Sequence, residues 1–348
     1  MHQWAPRAER RAYSTKDPGL RPQIAAAAVG RGGARQRDER GLIIAAVSVA
    51  LPVVNPTVDP SRTASSPESW EPKLARLRAV FRRPGRWVVC LSGGVDSALV
   101  LAVGAEERSA DVVALTAVSP TLPEPERLLC VGLASNAGVQ HELVPSGEME
   151  RVGFVSNGSD RCYHCKTELY SVARRRGREL GVDWIADGVN VDDLSDHRPG
   201  LVAAREHDVV HPLIEAGMTK ADVRGAARAL GLEVWDKPAF ACLSSRFPYG
   251  TPITEDRLEQ VGSVELFLKA RGIRQVRVRS DGKTARIEVL PHDIARLAAE
   301  PLRTDIVEVA TRAGFLWVSL DLQGYRTGSL NAAIETTPQV AHTTPDVK

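Results

Sequence analysis

From Trp87 onward the chain keeps one hydrophobic rhythm. The apolar run "RWVVCL" closes at Ser92, and "DSALVLAVGAEER" follows with apolar residues at helical spacing. "DVVALTAV" reads as the next strand, "EPERLLCVGLASNAG" as a helix and "QHELVP" as a strand, which makes a βαβαβ unit. Farther along, "TELYSVARRRGRELG" carries a helical face and "DWIADGVN" and "DVVHPL" are strand-like. "TKADVRGAARALGL" is a helix opened by Thr219 as its N-cap. Alternation of this kind predicts an α/β fold, a parallel sheet with helices on both faces. After Pro252 the texture changes. A helix over Glu255–Arg271, a hairpin "RQVRVRSDGKTARIEVL" turning at Asp281 and Gly282, a helix over His292–Arg312 and the strand "FLWVSL" predict a smaller C-terminal α+β domain.

The first 68 residues lack this order. They are rich in Arg, Ala, Pro and Ser, show no sustained period, and read as a disordered extension or a translation start assigned too early. Within them "LIIAAVSVALPVV", Leu42–Val54, resembles the apolar core of a signal peptide, but it lies far from the N-terminus and contains Pro52. It is also shorter than the roughly 20 residues that a bilayer span needs. The expected organisation is therefore an extension over 1–68, the α/β domain over 69–250, the α+β domain, for substrate or oligomerisation, over 251–335, and a tail over 336–348.

Charge narrows the function. The chain is formally +2, yet residues 1–40 hold nine basic groups against four acidic ones, which leaves the remainder at −3. A slightly acidic folded part lacks the electrostatic footprint of a dedicated nucleic-acid binder, and neither a nucleic-acid nor a membrane partner is expected.

The chemistry begins at "CLSGGVDSALV". A loop between a strand and a helix in a parallel sheet faces unpaired backbone N–H groups and the positive end of the helix dipole, which favour an anion. Gly93 and Gly94 remove Cβ atoms so that the backbone can wrap phosphate oxygens, and Ser92 and Ser97 add hydroxyl donors. Asp96 would repel bare phosphate and suits a Mg²⁺ ion or a helix cap. The predicted ligand is a polyphosphate. No lysine follows the glycines, so this is not a Gly-Lys-Ser/Thr P-loop, and it is not a GxGxxG turn.

Five cysteines are present. Their small number and the lack of a signal peptide point to a reducing, cytoplasmic setting, where a close pair binds metal or works as a redox centre rather than as a structural disulfide. Cys90 in the first strand and Cys130 on the apolar side of a helix read as buried small hydrophobes. Cys162 and Cys165 have CxxC spacing at a helix start, which places both thiols on one side and is expected to lower their pKa. Alone this pair fits half a zinc site, a redox pair, iron–sulfur ligands or chance. His164 between them reads as solvated or supporting. "WDKPAFACLSSRFPYGTPIT" adds Cys242 beside Ser244, Ser245 and Arg246 in a loop of Pro and Gly, a setting for a reactive thiolate, a metal ligand, or a plain linker.

"SGGVDS" resembles the PP-loop signature of the ATP pyrophosphatases, which implies an adenine nucleotide α-hydrolase-like fold that splits ATP between its α and β phosphates. With "LTAVSPTLPEPE", "RCYHCKTELY", "DGVNVDDLSDHRPG", "KPAFACLSSRFPYGTPIT" and "DLQGYRTGSLN" in the same order, the stretch from about Leu74 to Asn331 resembles the LarE family, ATP-dependent sulfur transferases of nickel-pincer nucleotide biosynthesis. The resemblance implies adenylation of a carboxylate of a pyridinium dicarboxylate mononucleotide, displacement of AMP by sulfur, and a homo-oligomer. It also implies one of two sulfur sources: a cysteine that gives up its own sulfur, or three cysteines on a [4Fe–4S] cluster. Cys162, Cys165 and Cys242 match the cluster type. By the same resemblance Lys166 would contact substrate phosphate or carboxylate, Asp193 a metal or nucleotide, and Arg246 and Arg277 the mononucleotide phosphate, as planar guanidinium groups do. Ser245 joins the binding set, and Arg326 has a divided reading. Two other functions are kept open: tRNA thiolation, which predicts a basic RNA surface, and an amide-forming ligase of the NAD- or GMP-synthetase kind, which needs no cysteine cluster.

Overall fold

The structure is a computed structural model that describes residues 70–195, 199–238 and 241–326. The expected extension, its apolar run and the C-terminal tail lie outside the described residues, as does the chain from Thr327 on.

The elements follow in the order α1 (Glu71–Phe81), β1 (Trp87–Cys90), α2 (Val95–Arg108), β2 (Val112–Val118), α3 (Glu124–Asn136), β3 (Gln140–Pro145), α4 (Val152–Val155) and α5 (Arg161–Glu179). Then come β4 (Trp184–Ala186), α6 (Pro199–Glu206), β5 (Val209–Val210), α7 (Pro212–Glu215), α8 (Lys220–Ala229) and α9 (Glu255–Ala270). The chain continues with β6 (Val276–Asp281), β7 (Thr284–Val289), α10 (Pro291–Ala298), α11 (Leu302–Arg312) and β8 (Trp317–Leu320). The strands β3-β2-β1-β4-β5 form one sheet with every pair parallel.

Alternate residues of the central strands feed two cores. Trp87, Val89, Val112, Ala114 and Ala186 face α1, α2, α3 and α8. Val88, Cys90, Val113, Leu115 and Ile185 face Tyr170 and Ala173 of α5 and Ala203 and Ala204 of α6. Burial on both faces is why these strands read as unbroken apolar runs. Strand order reverses between β1 and β4, and ligands of open α/β sheets bind at such a switch point, beyond the carboxyl ends of the strands. Here Ser92 and Asp187 lie just beyond those ends.

A second sheet, β6-β7-β8, pairs β6 with β7 antiparallel and β7 with β8 parallel. Its core is not confined to the C-terminal part. Phe154, Leu243 and Phe247 pack with Val261, Val278 and Ile287 in one cluster.

Three expectations need correction. The helix expected over His292–Arg312 is two helices, because Pro301, lacking an N–H, stands between α10 and α11. The hairpin pairs Asp281 with Thr284, so the two-residue loop is Gly282–Lys283, with Gly282 at φ 72° as its first central position. "DVVHPL" contributes only two strand residues, since Pro212 starts α7.

Candidate active site

The Ser92–Ser97 loop has the build that its sequence implies. Gly93 sits at φ 74°, a conformation that a side chain would strain, and a Cβ there would press on Cys130 Sγ at 3.3 Å. Gly94 caps α2 in extended conformation with no side-chain bond, which leaves the first N–H groups of the helix facing the loop. Ser97 Oγ donates to Gly94 O at 3.1 Å, accepts from Ser92 N at 3.2 Å and lies 3.2 Å from Ser92 Oγ. Gly188, just beyond β4, packs so closely that a Cβ on it would fall 2.6 Å from Ser97 N.

Cations arrive from distant elements. Lys220, at the start of α8, pairs with Asp96 Oδ2, and Asn190 Nδ2 donates to Asp96 Oδ1 at 3.1 Å. Lys237 donates to Gly93 O at 2.8 Å and pairs with Glu126. Lys220 and Lys237 were not assigned to the loop from sequence, because they stand 124 and 144 residues from their partners. Asp193 accepts from Asn190 N at 3.1 Å, and Asp192 accepts from Lys220 N at 2.9 Å, so this acidic turn fixes Asn190 and Lys220 beside the loop.

The cysteines gather as follows. Cys162 is exposed, while Cys165 and Cys242 are half-buried. Cys165 and Cys242 are close enough for their charges to interact, and Cys165 also meets Glu148. The expected low pKa is overturned for Cys165: burial first, then the charges of Glu148 and Cys242, push its thiol well above the usual range. Glu148 is itself buried, and it accepts from Ser119 Oγ at 2.5 Å and Thr121 Oγ1 at 2.7 Å. Cys242 is held by its carbonyl, which accepts from Ser245 N at 3.1 Å, Ser245 Oγ at 2.9 Å and Arg246 Nη1 at 3.1 Å. His164 Nε2 lies 3.1 Å from Asp160 Oδ2. Among the described residues, no three His, Cys, Asp or Glu side chains close tightly enough on one point to hold a single metal ion.

Lys166 lies among the thiols and Asp187. Burial opposes its charge, but Asp187, Cys165, Cys90 and Cys162 together raise its pKa. Asp187 follows β4, one residue before Gly188, and accepts from Tyr170 OH at 2.6 Å and bonds His211 Nδ1 at 2.7 Å. Burial would raise Asp187; the His211 bond, with Lys166 and Tyr170, holds it below the usual carboxylate range. Cys90 beneath it is pushed up to about 12 by burial and by Asp187, which confirms an inert core thiol.

Arg246, Arg277 and Arg279 lie deep in the fold. Arg246 is fully buried and bonds both oxygens of Glu265, at 2.6 and 2.8 Å, as well as Ala241 O and Cys242 O. In this arrangement it holds the cysteine turn. Arg277 is also buried, under Tyr325 with 5.3 Å from guanidinium to ring centroid; burial and the neighbouring Arg246 lower its pKa. Arg279 pairs with Glu288 at 2.9 Å and donates to Ser245 O at 2.5 Å. Arg326 lies 3.9 Å from Asp321 on the surface.

Comparison with known proteins adds the following. No protein-family profile matches the chain. It is 43% identical over 264 residues to an uncharacterized protein of Synechocystis, a match covering 76% of this chain and 98% of that one. It is 36% identical over 261 residues to the pyridinium-3,5-bisthiocarboxylic acid mononucleotide synthase of Lactiplantibacillus plantarum, covering 74% of this chain and 94% of that enzyme. An uncharacterized protein of Methanocaldococcus jannaschii is 25% identical over 239 residues, 69% of this chain and 90% of that one.

Proposed function

The chain belongs to the LarE family, that of the pyridinium-3,5-bisthiocarboxylic acid mononucleotide synthase, and from that premise we propose that it is an ATP-dependent sulfur transferase acting on pyridinium-3,5-dicarboxylate mononucleotide. One observation carries the reading most directly. Helix α5 presents Cys162 and Cys165, with Cys242 beside the latter, and its Lys166 reaches toward Asp187 at the edge of the Gly93–Gly94 loop. Activation and sulfur delivery thus share one wall.

In the first step a substrate carboxylate oxygen attacks the α-phosphorus of ATP, and pyrophosphate leaves as an acyl-adenylate forms. Gly93, Gly94 and the open N–H groups of α2 bind the departing oxygens, while Ser92, Ser97 and Lys237 supply further donors. Asp96 would hold the Mg²⁺ that accompanies ATP, with Asn190 and Lys220 fixing its carboxylate. In the second step sulfur bonds to the acyl carbon, the C–O bond to AMP breaks, and a thiocarboxylate remains. Lys166 offsets the negative charge of the thiols and of the incoming sulfur. Two such cycles convert both carboxylates.

The donor chemistry suits an iron–sulfur cluster: two thiols one helical turn apart, Cys242 close enough to Cys165 for their charges to interact, and a nearby lysine to balance anionic charge. Bound by Cys162, Cys165 and Cys242, a [4Fe–4S] cluster would leave one iron open to carry sulfide.

The test uses protein isolated without air. Iron and acid-labile sulfide are assayed, ATP and the dicarboxylate mononucleotide are added, and AMP, pyrophosphate, thiocarboxylate and the mass of Cys242 are measured. Iron with an unchanged Cys242 after turnover supports the reading. Loss of H₂S from Cys242 replaces the cluster by sacrifice of that residue, and amide or thiolated tRNA as product overturns the proposal.

A further inference from the structure

Asn157, between α4 and α5, is fully buried and one of two non-glycine residues at positive φ among those described, at 57°. That conformation costs energy for a side chain, and here it aims the amide across the fold. Nδ2 donates to Pro248 O at 2.8 Å and Thr251 O at 2.9 Å, and the backbone oxygen accepts from Gly250 N at 2.9 Å. Its Oδ1 accepts from Arg161 Nη1. Arg161, also buried, donates from the same nitrogen to Ser244 O at 2.9 Å, and its guanidinium lies 5.9 Å from the centroid of Tyr249. Four of these bonds therefore end on one segment, Ser244–Thr251, which is 83 to 94 residues away from the residues that hold it.

The ends of this bridge matter. Arg161 is the residue before Cys162 and four before Cys165, while Ser244 is two after Cys242. Among the described residues Arg161 meets an amide oxygen, a carbonyl and a ring, and no carboxylate. A guanidinium buried on such terms is a weak source of stability, and its distinctive effect is geometric. Ser244 Oγ is buried with no hydrogen-bond partner, so the turn is fastened to α5 through the Ser244 carbonyl rather than through its hydroxyl.

We propose that Asn157 and Arg161 act as a latch, positioning residues that fix the Cys242 turn against the helix of Cys162 and Cys165. The latch deepens the sulfur-transfer reading, on which it rests only for the purpose of the alignment. Without it the turn keeps its own local bonds to Arg246 and Ser245 but loses its register on α5, so Cys242 moves away from the other two thiols.

The experiment uses the full chain without ATP, iron or air. Dibromobimane bridges two thiols that face each other, and the joined peptides are identified by mass spectrometry; monobromobimane reports exposure of Cys242 alone. Asn157→Asp keeps the acceptor for Arg161 but cannot donate to Pro248 O or Thr251 O. With two hydrogen bonds lost, the yield of Cys242 bridged to Cys162 or Cys165 is expected to fall about tenfold, with monobromobimane labelling kept or raised. Arg161→Gln is expected to act in the same direction. Should Arg161→Gln fail to fold by circular dichroism, Asn157→Gly carries the test, since glycine holds the positive φ while removing the amide. Unchanged bridging in folded variants overturns the latch, and so does an equal loss of both labels. Turnover of the unaltered protein is measured separately: efficient bridging without thiocarboxylate formation sinks the sulfur-transfer reading and leaves the latch standing.

Discussion

The Arg246 guanidinium has no solvent access, and its bond to Glu265 crosses from the cysteine turn to α9. Replacing Glu265 by Gln leaves a buried cation without its carboxylate, a change expected to cost about 3 kcal/mol by urea unfolding. Because Arg246 also donates to Cys242 O, Glu265→Gln is expected to speed alkylation of Cys242 as well. His141 gives a pH-dependent case. Thr116 donates its hydroxyl to Leu91 O, so the ring N–H of His141 makes their 2.9 Å contact. Burial pushes His141 below its ordinary 6.5. The unfolded chain thus takes up this proton first as pH falls, so the His141 contribution is complete above 6.5 and declines as pH falls from there toward the folded value. The urea midpoint should drop between about pH 7.5 and about pH 5.5, and His141→Gln should reduce that drop. At this scale the sequence shows least, because the partners of a side chain lie far along the chain. Arg246 beside Cys242 reads as an anion hook, and its bond to Glu265, 19 residues on, is not visible from the loop itself. Cys165 at a helix start reads as a low-pKa thiol, until Glu148 and Cys242 come in from other elements.

Among the elements, those whose signals are local were legible. The strand "QHELVP" has the bounds of β3, and α2 differs from its predicted span by one residue, because apolar period and glycine punctuation lie within the segment itself. Thr219 was readable as a cap for the same reason. Its Oγ1 accepts from Asp222 N while the Asp222 carboxylate accepts from Thr219 N at 2.8 Å, a full capping box on α8. The conformation of the Ser92–Ser97 loop was legible on these terms too, but its lysines were not: nothing near Ser92 in the chain announces Lys220 or Lys237. This gives α8 a second use, since its first residue, Lys220, holds Asp96. Thr219→Ala is expected to cost about 1 kcal/mol of stability. It should also weaken ATP binding, measured by calorimetry, beyond what the stability loss explains, because Lys220 is released along with the cap. Normal ATP affinity in Thr219→Ala would separate the cap from the site.

For the molecule as a whole, the described residues fall in one compact unit, although the sequence changes texture near Pro252. No helix among them is long and apolar enough to cross a membrane. The textural boundary marks a change of architecture, and the packing across it argues against independent folding. Phe154, Leu243 and Phe247 belong by sequence to the α/β part, yet their side chains complete the core beneath β6, β7 and α9. Two of them adjoin the cysteine turn, since Leu243 follows Cys242 and Phe247 follows Arg246. Heat or denaturant should therefore melt the parallel sheet and the smaller sheet in one transition. Phe247→Ala opens a cavity at the junction and is expected to cost about 3–5 kcal/mol. If the two parts are energetically one, tryptophan fluorescence from Trp87 in the parallel sheet and from Trp317 on β8 shifts to the same lower midpoint. Two separated midpoints would show that the sheets fold independently and that the cysteine turn is held by one of them alone.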